Sequence, residues 1–564
     1  MKKKFLIYLL FSTLLYGEKL HLLFEGNSKI SSSELYSSLE LYEPSFFEFY
    51  VDKPSIESSS IDLILQSIKD YYKTKGFFHA DVSYLKDKSA IRVKVDEKSP
   101  IIVKNISDIS DIKLDETIPF KVGDIFDADK FTQSKKDIKL LYANSNFCNA
   151  SIDAKAWIDI ELNEAHLKYE SSKNKKCYFG RVKINASKDI DEEIIRSILY
   201  IDEYETFSVN KITRSYEELY SHEGVSKAVI ETNVVNENII DVNVEVVQNE
   251  KPLRFEFGIG ASSDEGAMVS TGIMDRNFLG NLRVLSLKAR VAEIKQNVKL
   301  NFDMPLAGRN FTGFETGYEN EKFLGFKEYK FYSSAYLKQK RAEHTFGESI
   351  LFDSIKTYDS EDELLFPPLR LFIISPKFEY GFDTRDKILE PTKGYFINGE
   401  ASGSLMGALS DATYHKLRAT AGYIHSLQNS IAAFKGTYGT LKLVDGDIPA
   451  SYRFFAGGMH SNRGYGYREL GPTNAKGDPI GFDSILEFTA ELRFKIYGNF
   501  RGVVFNDNSY LGESGSPNYG DGYNSVGFGF RYVTPIGPVG IDFGFDVENP
   551  TKQYAVHFHI GELF

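Results

Sequence analysis

Leu486-Glu-Phe-Thr-Ala-Glu-Leu-Arg-Phe-Lys-Ile496 alternates apolar and polar side chains without interruption over eleven residues. Because successive side chains of a β-strand point to opposite faces, one face of this segment is apolar and the other is charged. Residues 525–533 and 539–548 repeat the alternation. The pattern predicts strands with one face in an apolar medium and the other in a polar one.

The chain after residue 250 reads as about sixteen such strands. Its three long connections, 352–370, 445–482 and 511–523, follow the seventh, eleventh and thirteenth strands. All three numbers are odd, which places the long connections on one side and the short turns on the other, as in outer-membrane barrels. We therefore predict a 16-stranded antiparallel transmembrane β-barrel over 251–564, closed because lipid cannot satisfy an open sheet edge. The strand starts are predicted near residues 254, 267, 283, 296, 309, 326, 343, 371, 395, 412, 431, 483, 500, 524, 538 and 554.

The region before the barrel contains a repeat. Phe77, Phe147 and Val225 occupy equivalent positions, 70 and 78 residues apart, between a helical segment and two strands. Each unit reads β-α-α-β-β, with helices at 61–75, 135–143 and 209–222 and closing strand pairs at 79–84 and 90–96, 150–157 and 158–162, and 228–235 and 239–247. The fold class is thus α+β plus all-β, with modules at 18–98, 99–174 and 175–250. On these residues alone, three unrelated small α+β domains remain the alternative.

Composition and the N-terminus narrow the class. The formal net charge of −12 argues against nucleic acid as a partner, because phosphate binding needs a basic face. Residues 1–17 combine three lysines with an apolar run too short to span a bilayer, which predicts a signal peptide. No later apolar run reaches the ~18 residues of a membrane helix. Cys148 and Cys177 form either one disulfide or two buried thiols.

Catalytic motifs are sparse. The ten histidines are scattered and the two cysteines lack zinc-ligand spacing, so we expect no metal site and no cofactor. No nucleophile elbow or phosphate-binding loop occurs in the sequence. We therefore expect a protein that is not an enzyme. A catalytic barrel is the enzymatic alternative, and a passive porin is disfavoured by the modules and by a long loop that looks built to fold inward.

That loop, at about 445–482, carries a family resemblance. Phe454-Phe-Ala-Gly-Gly458 followed by Ser461-Asn-Arg-Gly-Tyr465 resembles the barrel-plugging loop of the Omp85 superfamily, most of all in its TamA-type members. The preceding modules resemble POTRA domains, the periplasmic modules of that superfamily. Three modules are fewer than the five usual in BamA-type members, and the two usual in two-partner-secretion transporters follow a plug helix. Further similar motifs are Tyr380–Asp386 with Pro391–Tyr395, Asp275–Gly280 and Val503–Asp507.

The resemblance implies a lock between this loop and the barrel wall. Arg463 would pair with Asp507, while the parity of lumen-facing positions also offers Glu491, Glu487 and Asp542. Gly464 would let the loop turn against the wall and Tyr465 would pack beside it. The loop motif itself comprises Phe454, Phe455, Gly457 and Gly458.

The resemblance also implies a lateral seam between the first strand, 253–261, and the last, 554–564. Gly258, Gly260 and Gly561 would weaken side-chain packing there, and Phe564 ends the last strand. The implied function is insertion or export of outer-membrane and surface proteins. Implied partners are a TamB-type inner-membrane-anchored protein, unfolded outer-membrane protein substrates and membrane lipids. Alternatives are a BamA-type insertase, a two-partner transporter, or lipid transport to the outer membrane with a TamB-type partner. The implied location is the outer membrane, with the modules in the periplasm.

Overall fold

The computed structural model describes residues 19–42, 54–306, 309–341, 343–387, 390–405, 407, 409–427, 430–513, 515–534 and 537–560. The predicted signal peptide, Gly561 and Phe564 lie outside these residues. The chain divides into two compact units. The first comprises Met1–Arg181, Glu203–Lys211 and Asn233–Asp241, and the second comprises Val182–Asp202, Ile212–Thr232 and Val242–Phe564. None of the described helices is long and apolar enough to cross a membrane.

The first module has the predicted order with one added short strand. Its elements are β1 (Lys19–Glu25), α1 (Ser32–Ser38), β2 (Ser55–Glu57), α2 (Ile61–Thr74), β3 (Asp81–Lys86) and β4 (Ala90–Asp96). The sheet order is β2-β1-β4-β3. Ser31 caps α1 by accepting a hydrogen bond from the Glu34 amide, and Ile68 and Tyr72 of α2 are fully buried against the sheet.

The second module departs from the prediction in two places. Its elements are β5 (Ile102–Ser110), α3 (Ala128–Asn144), β6 (Ser151–Asp159) and β7 (Glu164–Ser172), in the sheet order β5-β7-β6. A hydrogen-bonded turn that begins at Leu114 stands where the first helix was expected. The strand predicted at 158–162 is wrong. The Leu162 amide donates to the Asp159 carboxylate and Asn163 has φ +56°, so these residues form a tight turn between β6 and β7.

The third module follows the predicted order. It contains β8 (Tyr178–Ala186), α4 (Glu192–Ile198), α5 (Val209–Ser221), β9 (Val225–Asn236) and β10 (Ile239–Gln248), with the sheet order β8-β10-β9. Within the first unit, Cys148 and Cys177 form a disulfide, which decides between the two alternatives left by the sequence. The bond ties Cys148, which lies between α3 and β6, to the residue immediately before β8.

The sixteen-stranded barrel is confirmed. Consecutive strands pair antiparallel in one sheet from β11 to β26, and each begins within two residues of its predicted start. The sheet is nearly closed. Its strands are β11 (Leu253–Ser262), β12 (Gly266–Asp275), β13 (Val284–Ala292), β14 (Lys295–Leu306), β15 (Asn310–Lys322), β16 (Lys327–Arg341), β17 (His344–Tyr358), β18 (Arg370–Asp383), β19 (Gly394–Ser404), β20 (Ala412–Leu427), β21 (Ser430–Gly446), β22 (Ser484–Tyr497), β23 (Phe500–Gly512), β24 (Gly522–Thr534), β25 (Gly537–Asp546) and β26 (Tyr554–Ile560).

Burial follows the alternation of the sequence. On β22, Phe488 and Leu492 are exposed on the outside, whereas Thr489, Glu491 and Arg493 are buried on the inside. Three of the four longest connections, 359–369, 447–483 and 513–521, follow odd-numbered strands of the barrel. They leave it at the end away from the third module, because that module precedes β11, the first strand; the fourth, 384–393, lies at the other end. The barrel therefore has an apolar outer face, a charged lumen and most of its long connections at one end.

Candidate functional site

The lumen loop, residues 447–483 between β21 and β22, begins with a short paired stem. The backbones of Phe454 and Phe482 exchange two hydrogen bonds of 2.8 Å, and the Leu470 amide donates to the carbonyl of Ala456. Phe454 and Phe482 are buried together with Leu470 in one apolar cluster. Phe455 packs on Phe323, with ring centroids 5.5 Å apart. These aromatic contacts hold the base of the loop against the wall.

Two glycines turn the loop beyond the stem. Gly457 and Gly458 have φ of +98° and +103°, a conformation that other residues rarely adopt. A Cβ on Gly457 would lie 2.5 Å from the Gly466 carbonyl oxygen, and one on Gly458 would lie 2.9 Å from a carboxylate oxygen of Asp264. A side chain at the first position would clash with backbone, and one at the second would press on the Asp264 side chain. The turn aims the next segment, which contains Arg463, into the lumen.

Arg463 reaches three carboxylates on three strands. Its Nε and Nη2 donate to Asp507 at 2.9 and 3.1 Å, and its backbone N–H donates to the same carboxylate at 3.1 Å. Its Nη1 donates to Glu491 at 2.7 Å and to Asp542 at 3.2 Å. The guanidinium carbon lies 3.4 Å from the centroid of the Phe505 ring. The planar fork of arginine suits this combination of bidentate and aromatic contacts.

Two further arginines complete the charge balance. Arg493 donates to Glu491 at 2.7 Å, and Arg531 donates to Asp542 at 2.5 and 2.9 Å. Three arginines and three carboxylates thus form one cluster, and each of the six side chains is at most 1% exposed. Buried charges are tolerated only when paired and hydrogen-bonded. The cluster therefore depends on each of its members.

Residues on either side of Arg463 also contact the wall. Asn462 donates to the Tyr523 carbonyl at 3.1 Å, and Tyr465 donates to Asp546 at 2.9 Å. A Cβ on Gly464 would lie 2.5 Å from the Cβ of Ser525. A Cβ on Gly544 of β25 would lie 2.0 Å from the Arg463 carbonyl oxygen. The sequence reasoning did not single out Gly544, although its inward position between Asp542 and Asp546 was a usable signal.

The structure brings together most of the predicted lock residues. Arg463, Asp507, Glu491 and Asp542 meet in the charged cluster. Glu487 instead accepts a hydrogen bond from the Ser461 hydroxyl. The same hydroxyl accepts a hydrogen bond of 2.9 Å from the Gly457 amide. Glu487 therefore holds the loop without contacting the guanidinium in the described hydrogen bonds.

The seam lies between β11 and β26, which form no ladder with each other in the described part of the chain. At its outer end the Ser263 amide donates to the Phe558 carbonyl at 3.2 Å. His557 lies 3.1 Å from the Ser263 hydroxyl and 3.5 Å from Asp264. Asp264 also accepts from the Met459 amide of the lumen loop at 3.1 Å. The loop thus connects to both sides of the seam, because His557 also contacts the Arg463 carbonyl at 3.2 Å.

The predicted seam glycines face the lumen side of β11. A Cβ on Gly258 would lie 2.6 Å from the Ser270 hydroxyl, and one on Gly260 would lie 3.2 Å from Met268, both on β12. Their close neighbours are therefore on β12. Outward on the same strand, Phe255, Phe257 and Ile259 are about three-quarters exposed.

Within the second unit, part of the third module contacts the inner turns of the barrel. Arg309 donates to the Leu199 carbonyl at 2.9 Å and lies over the Tyr200 ring at 4.2 Å. Glu218, which is buried, pairs with Lys340 at 2.8 Å. Asn281 and Asp191 exchange hydrogen bonds of 2.7 Å. These contacts fix α4 and the end of α5 against the turns that precede β13, β15 and β17.

The turn between β18 and β19 is built around Asp386. Its carboxylate accepts from the Thr392 amide and hydroxyl at 2.8 and 2.5 Å and from the Lys393 amide at 3.2 Å. Burial alone would raise the pKa of Asp386, but these hydrogen bonds outweigh it and lower the pKa to about 2. The carboxylate is therefore a structural acceptor that closes the turn.

A nearly closed sixteen-stranded barrel, plugged by its own charged loop and preceded by small α+β repeats, defines an outer-membrane assembly or translocation device. The Omp85 superfamily domain matches residues 277–564, and the surface antigen variable number repeat, a POTRA domain, matches residues 21–98 and 99–170. The chain belongs to the Omp85 superfamily. It is an Omp85-type outer-membrane assembly or translocation factor whose POTRA domains lie in the periplasm.

Similar proteins agree with this assignment. The chain is 25% identical to the outer membrane protein assembly factor BamA of Nitratidesulfovibrio vulgaris, with 96% of this chain and 72% of that protein covered. It is 19% identical to BamA of Neisseria meningitidis serogroup B, with 96% and 77% covered. The crystal structure of Haemophilus ducreyi BamA lacking POTRA domains 1-3 superposes with a TM-score of 0.57 at 17% identity, covering 82% of this chain and 99% of that one. That superposition supports the fold.

Proposed function

We propose that this protein inserts or exports other outer-membrane and surface proteins through the seam between β11 and β26. The observation that carries the proposal is the missing ladder between these two strands among the described residues. A strand edge without a ladder presents backbone N–H and C=O groups to which an incoming strand can pair. The substrate is therefore an unfolded β-strand segment, and the action is pairing without covalent chemistry.

The lumen loop supports lateral insertion over passage through the lumen. Arg463 and its carboxylate partners fill the space beside β22 to β26 with buried charged side chains. A substrate crossing the lumen would have to break these contacts, whereas a strand entering at the seam would not. The loop also contacts Asp264 and His557 at the outer end of the seam, so these contacts hold the seam shut until that end separates to admit substrate.

The three-module organisation favours a TamA-type member acting with a TamB-type inner-membrane-anchored protein, in protein insertion or in lipid transport to the outer membrane. A BamA-type insertase is the second candidate, and two relatives named BamA favour it. The two candidates differ in partners. Affinity capture from crosslinked native membranes, followed by mass spectrometry, separates them. A large periplasm-spanning partner supports the TamA type, small lipoproteins support the BamA type, and a single secreted passenger supports a two-partner transporter.

A covalent clamp tests the seam directly. Cysteines placed at Ser263 and His557, whose side chains are 3.1 Å apart, would join the two edges when oxidised. The matched control places cysteines at Val269 and Val291, which are paired partners on β12 and β13. We expect oxidation of the seam pair alone to stop insertion of a β-barrel substrate into proteoliposomes, with recovery after reduction. Undiminished insertion by the oxidised seam variant would contradict the proposal.

A further inference from the structure

The outer face of the barrel carries an apolar groove between β18 and β19. The groove has a volume of about 470 Å³ and is lined by Ile374, Pro376, Phe378, Ala401, Gly403 and Leu405, with two serines and His415 at its margin. Phe378 and Leu405 are 57% and 79% exposed, whereas Ile373 and Ser375, which alternate with the lining residues, are buried on the lumen side. The groove therefore opens toward the membrane and not toward the lumen.

The groove exists because the two strands separate. The ladder between β18 and β19 runs from the Asp383–Phe396 pair to the Lys377–Ser402 pair and ends there in the described part of the chain. The next residue of β18 is Pro376, which has no N–H to continue a ladder. Beyond it β18 remains paired with β17, while β19 remains paired with β20 as far as Ser404. Ala401 and Gly403 project little or no side chain into the gap, so the groove is deep at these positions.

Basic side chains lie at the outer rim of the groove. His415 is the paired partner of Gly403 on β19 and of Lys442 on β21. Both His415 and Lys442 are exposed, and both lie near the outer ends of their strands. Directly paired side chains on one face of a sheet have Cβ atoms roughly 5 Å apart. A phosphate group above the apolar groove would meet both side chains.

We infer that this groove binds one phosphate-bearing membrane lipid, with an acyl chain in the groove and the phosphate at His415 and Lys442. Three features select this occupant. The groove is continuous with the lipid-facing surface of the barrel, its lining is apolar, and its volume lies within the range of small-molecule sites. The basic rim lies at the end of the groove where the headgroups of the outer leaflet stand. This site is independent of the seam and of the proposed function.

The test counts phosphatidylglycerol on the full-length protein by native mass spectrometry from neutral detergent. Wild type should retain one phosphatidylglycerol, and Ala401→Phe should lower its occupancy by about tenfold, because the ring displaces several methylenes of the acyl chain. The control is Ala421→Phe, an exposed lipid-facing position on β20 that does not line the groove. It should retain lipid as wild type does.

A second comparison tests whether His415 and Lys442 bind the lipid phosphate. The double variant His415→Gln, Lys442→Gln should bind phosphatidylglycerol no better than a diacylglycerol with the same chains, whereas wild type should prefer the phosphatidylglycerol. Inorganic phosphate should not displace the bound lipid. Heat-modifiable migration in gels confirms that each variant is folded, and Ala401→Leu replaces Ala401→Phe if the latter fails this check. Equal occupancy in Ala401→Phe and Ala421→Phe, or displacement by inorganic phosphate, would overturn the inference.

Discussion

Arg463 draws its partners from distant parts of the chain. Its hydrogen bonds to Glu491, Asp507 and Asp542 span 28, 44 and 79 residues. The three carboxylates lie on three different strands, β22, β23 and β25. The Arg463 side chain therefore connects these strands from the inside of the barrel. Because the cluster is buried, loss of the guanidinium would leave two arginines among three carboxylates.

We predict that Arg463→Ala destabilises the barrel by about 3–5 kcal/mol, the usual effect of removing one partner from a buried ion pair. The matched control is Arg453→Ala in the same loop, whose side chain is 40% exposed and lies 3.9 Å from Asp483. The measurement is the temperature at which the folded band converts to the unfolded band in heat-modifiability gels. Equal conversion temperatures for the two variants would refute a locking role for Arg463.

A buried histidine follows directly after α5. His222 stacks on Phe311 of β15, with ring centroids 5.6 Å apart. Within the described residues, its Nε2 is buried without a hydrogen-bond partner. Burial lowers the pKa of His222 to about 4, although Glu218 opposes this shift and Lys340 adds to it. The imidazole is therefore held in its neutral form against the barrel.

This contact should weaken in acid. An exposed imidazole titrates at about 6.5, so as the pH falls below that value the undocked state gains a proton before the docked state does. The stabilisation is thus present above pH 6.5 and is lost as the pH falls toward 4, by about 3 kcal/mol in total. Hydrogen exchange of α5 at pH 7.5 and 5.0, corrected for intrinsic rates, measures the loss. His222→Phe should remove the pH dependence, and an unchanged dependence in that variant would exclude His222 as its source.

The disulfide acts on the link between β7 and β8. The segment 173–176 contains three lysines, and it is flanked by further contacts, because Asn174 donates to the Asn149 carbonyl at 2.5 Å and Lys175 pairs with Glu237 at 2.6 Å. A crosslink stabilises a fold chiefly by reducing the conformational freedom of the chain when it unfolds. The bond should therefore protect this lysine-rich link from trypsin.

We predict that Cys148→Ser with Cys177→Ser increases the rate of tryptic cleavage in the link severalfold. Wild type treated with a reductant should behave like the double variant, and Lys175→Gln, which keeps the disulfide, serves as the control. N-terminal sequencing of the fragments identifies the cleaved bond. Cleavage at the same rate in the oxidised wild type and the double variant would contradict this role.

The second unit combines two arcs supported by many contacts with a boundary that has few. The lumen loop and its charged cluster join β22 to β26, and the inner turns of β12 to β17 receive contacts from the third module. The seam lies between these two supported arcs, at the place where the ladder is missing in the described residues. We expect a barrel that is stiffened on both sides of such a boundary to open there first. The clamp at Ser263 and His557 tests this property.

The strand pattern was predictable because the alternation of side chains is a local property. All sixteen starts follow from period-two runs and the turns between them. The second module was less predictable, because Leu114 and Asn163 lie in turns whose local sequence also suits regular structure. The strand at 158–162 was placed wrongly, since the apolar residues Ile160 and Leu162 are exposed in the turn and face no core.

The contacts between the lumen loop and the barrel wall were also only partly predictable. Parity along the strands placed Glu491 and Asp542 on the lumen side, the family resemblance pointed to Asp507, and the loop motif singled out Arg463. Parity alone also predicted Glu487 as a partner of Arg463. In the structure Glu487 accepts a hydrogen bond from Ser461 instead. Gly544 was not singled out as a site residue, because the need for a missing Cβ there arises only when the Arg463 backbone approaches from a different part of the chain.

Amino-acid order alone determined the number of strands, the side on which the long loops emerge and the faces of the barrel wall, because these depend on residues close together in the chain. Tertiary structure decided which carboxylates meet Arg463, where β18 and β19 separate and whether the two cysteines join. Those outcomes depend on the register and curvature of strands that are far apart in sequence, and no local pattern encodes the distance between them.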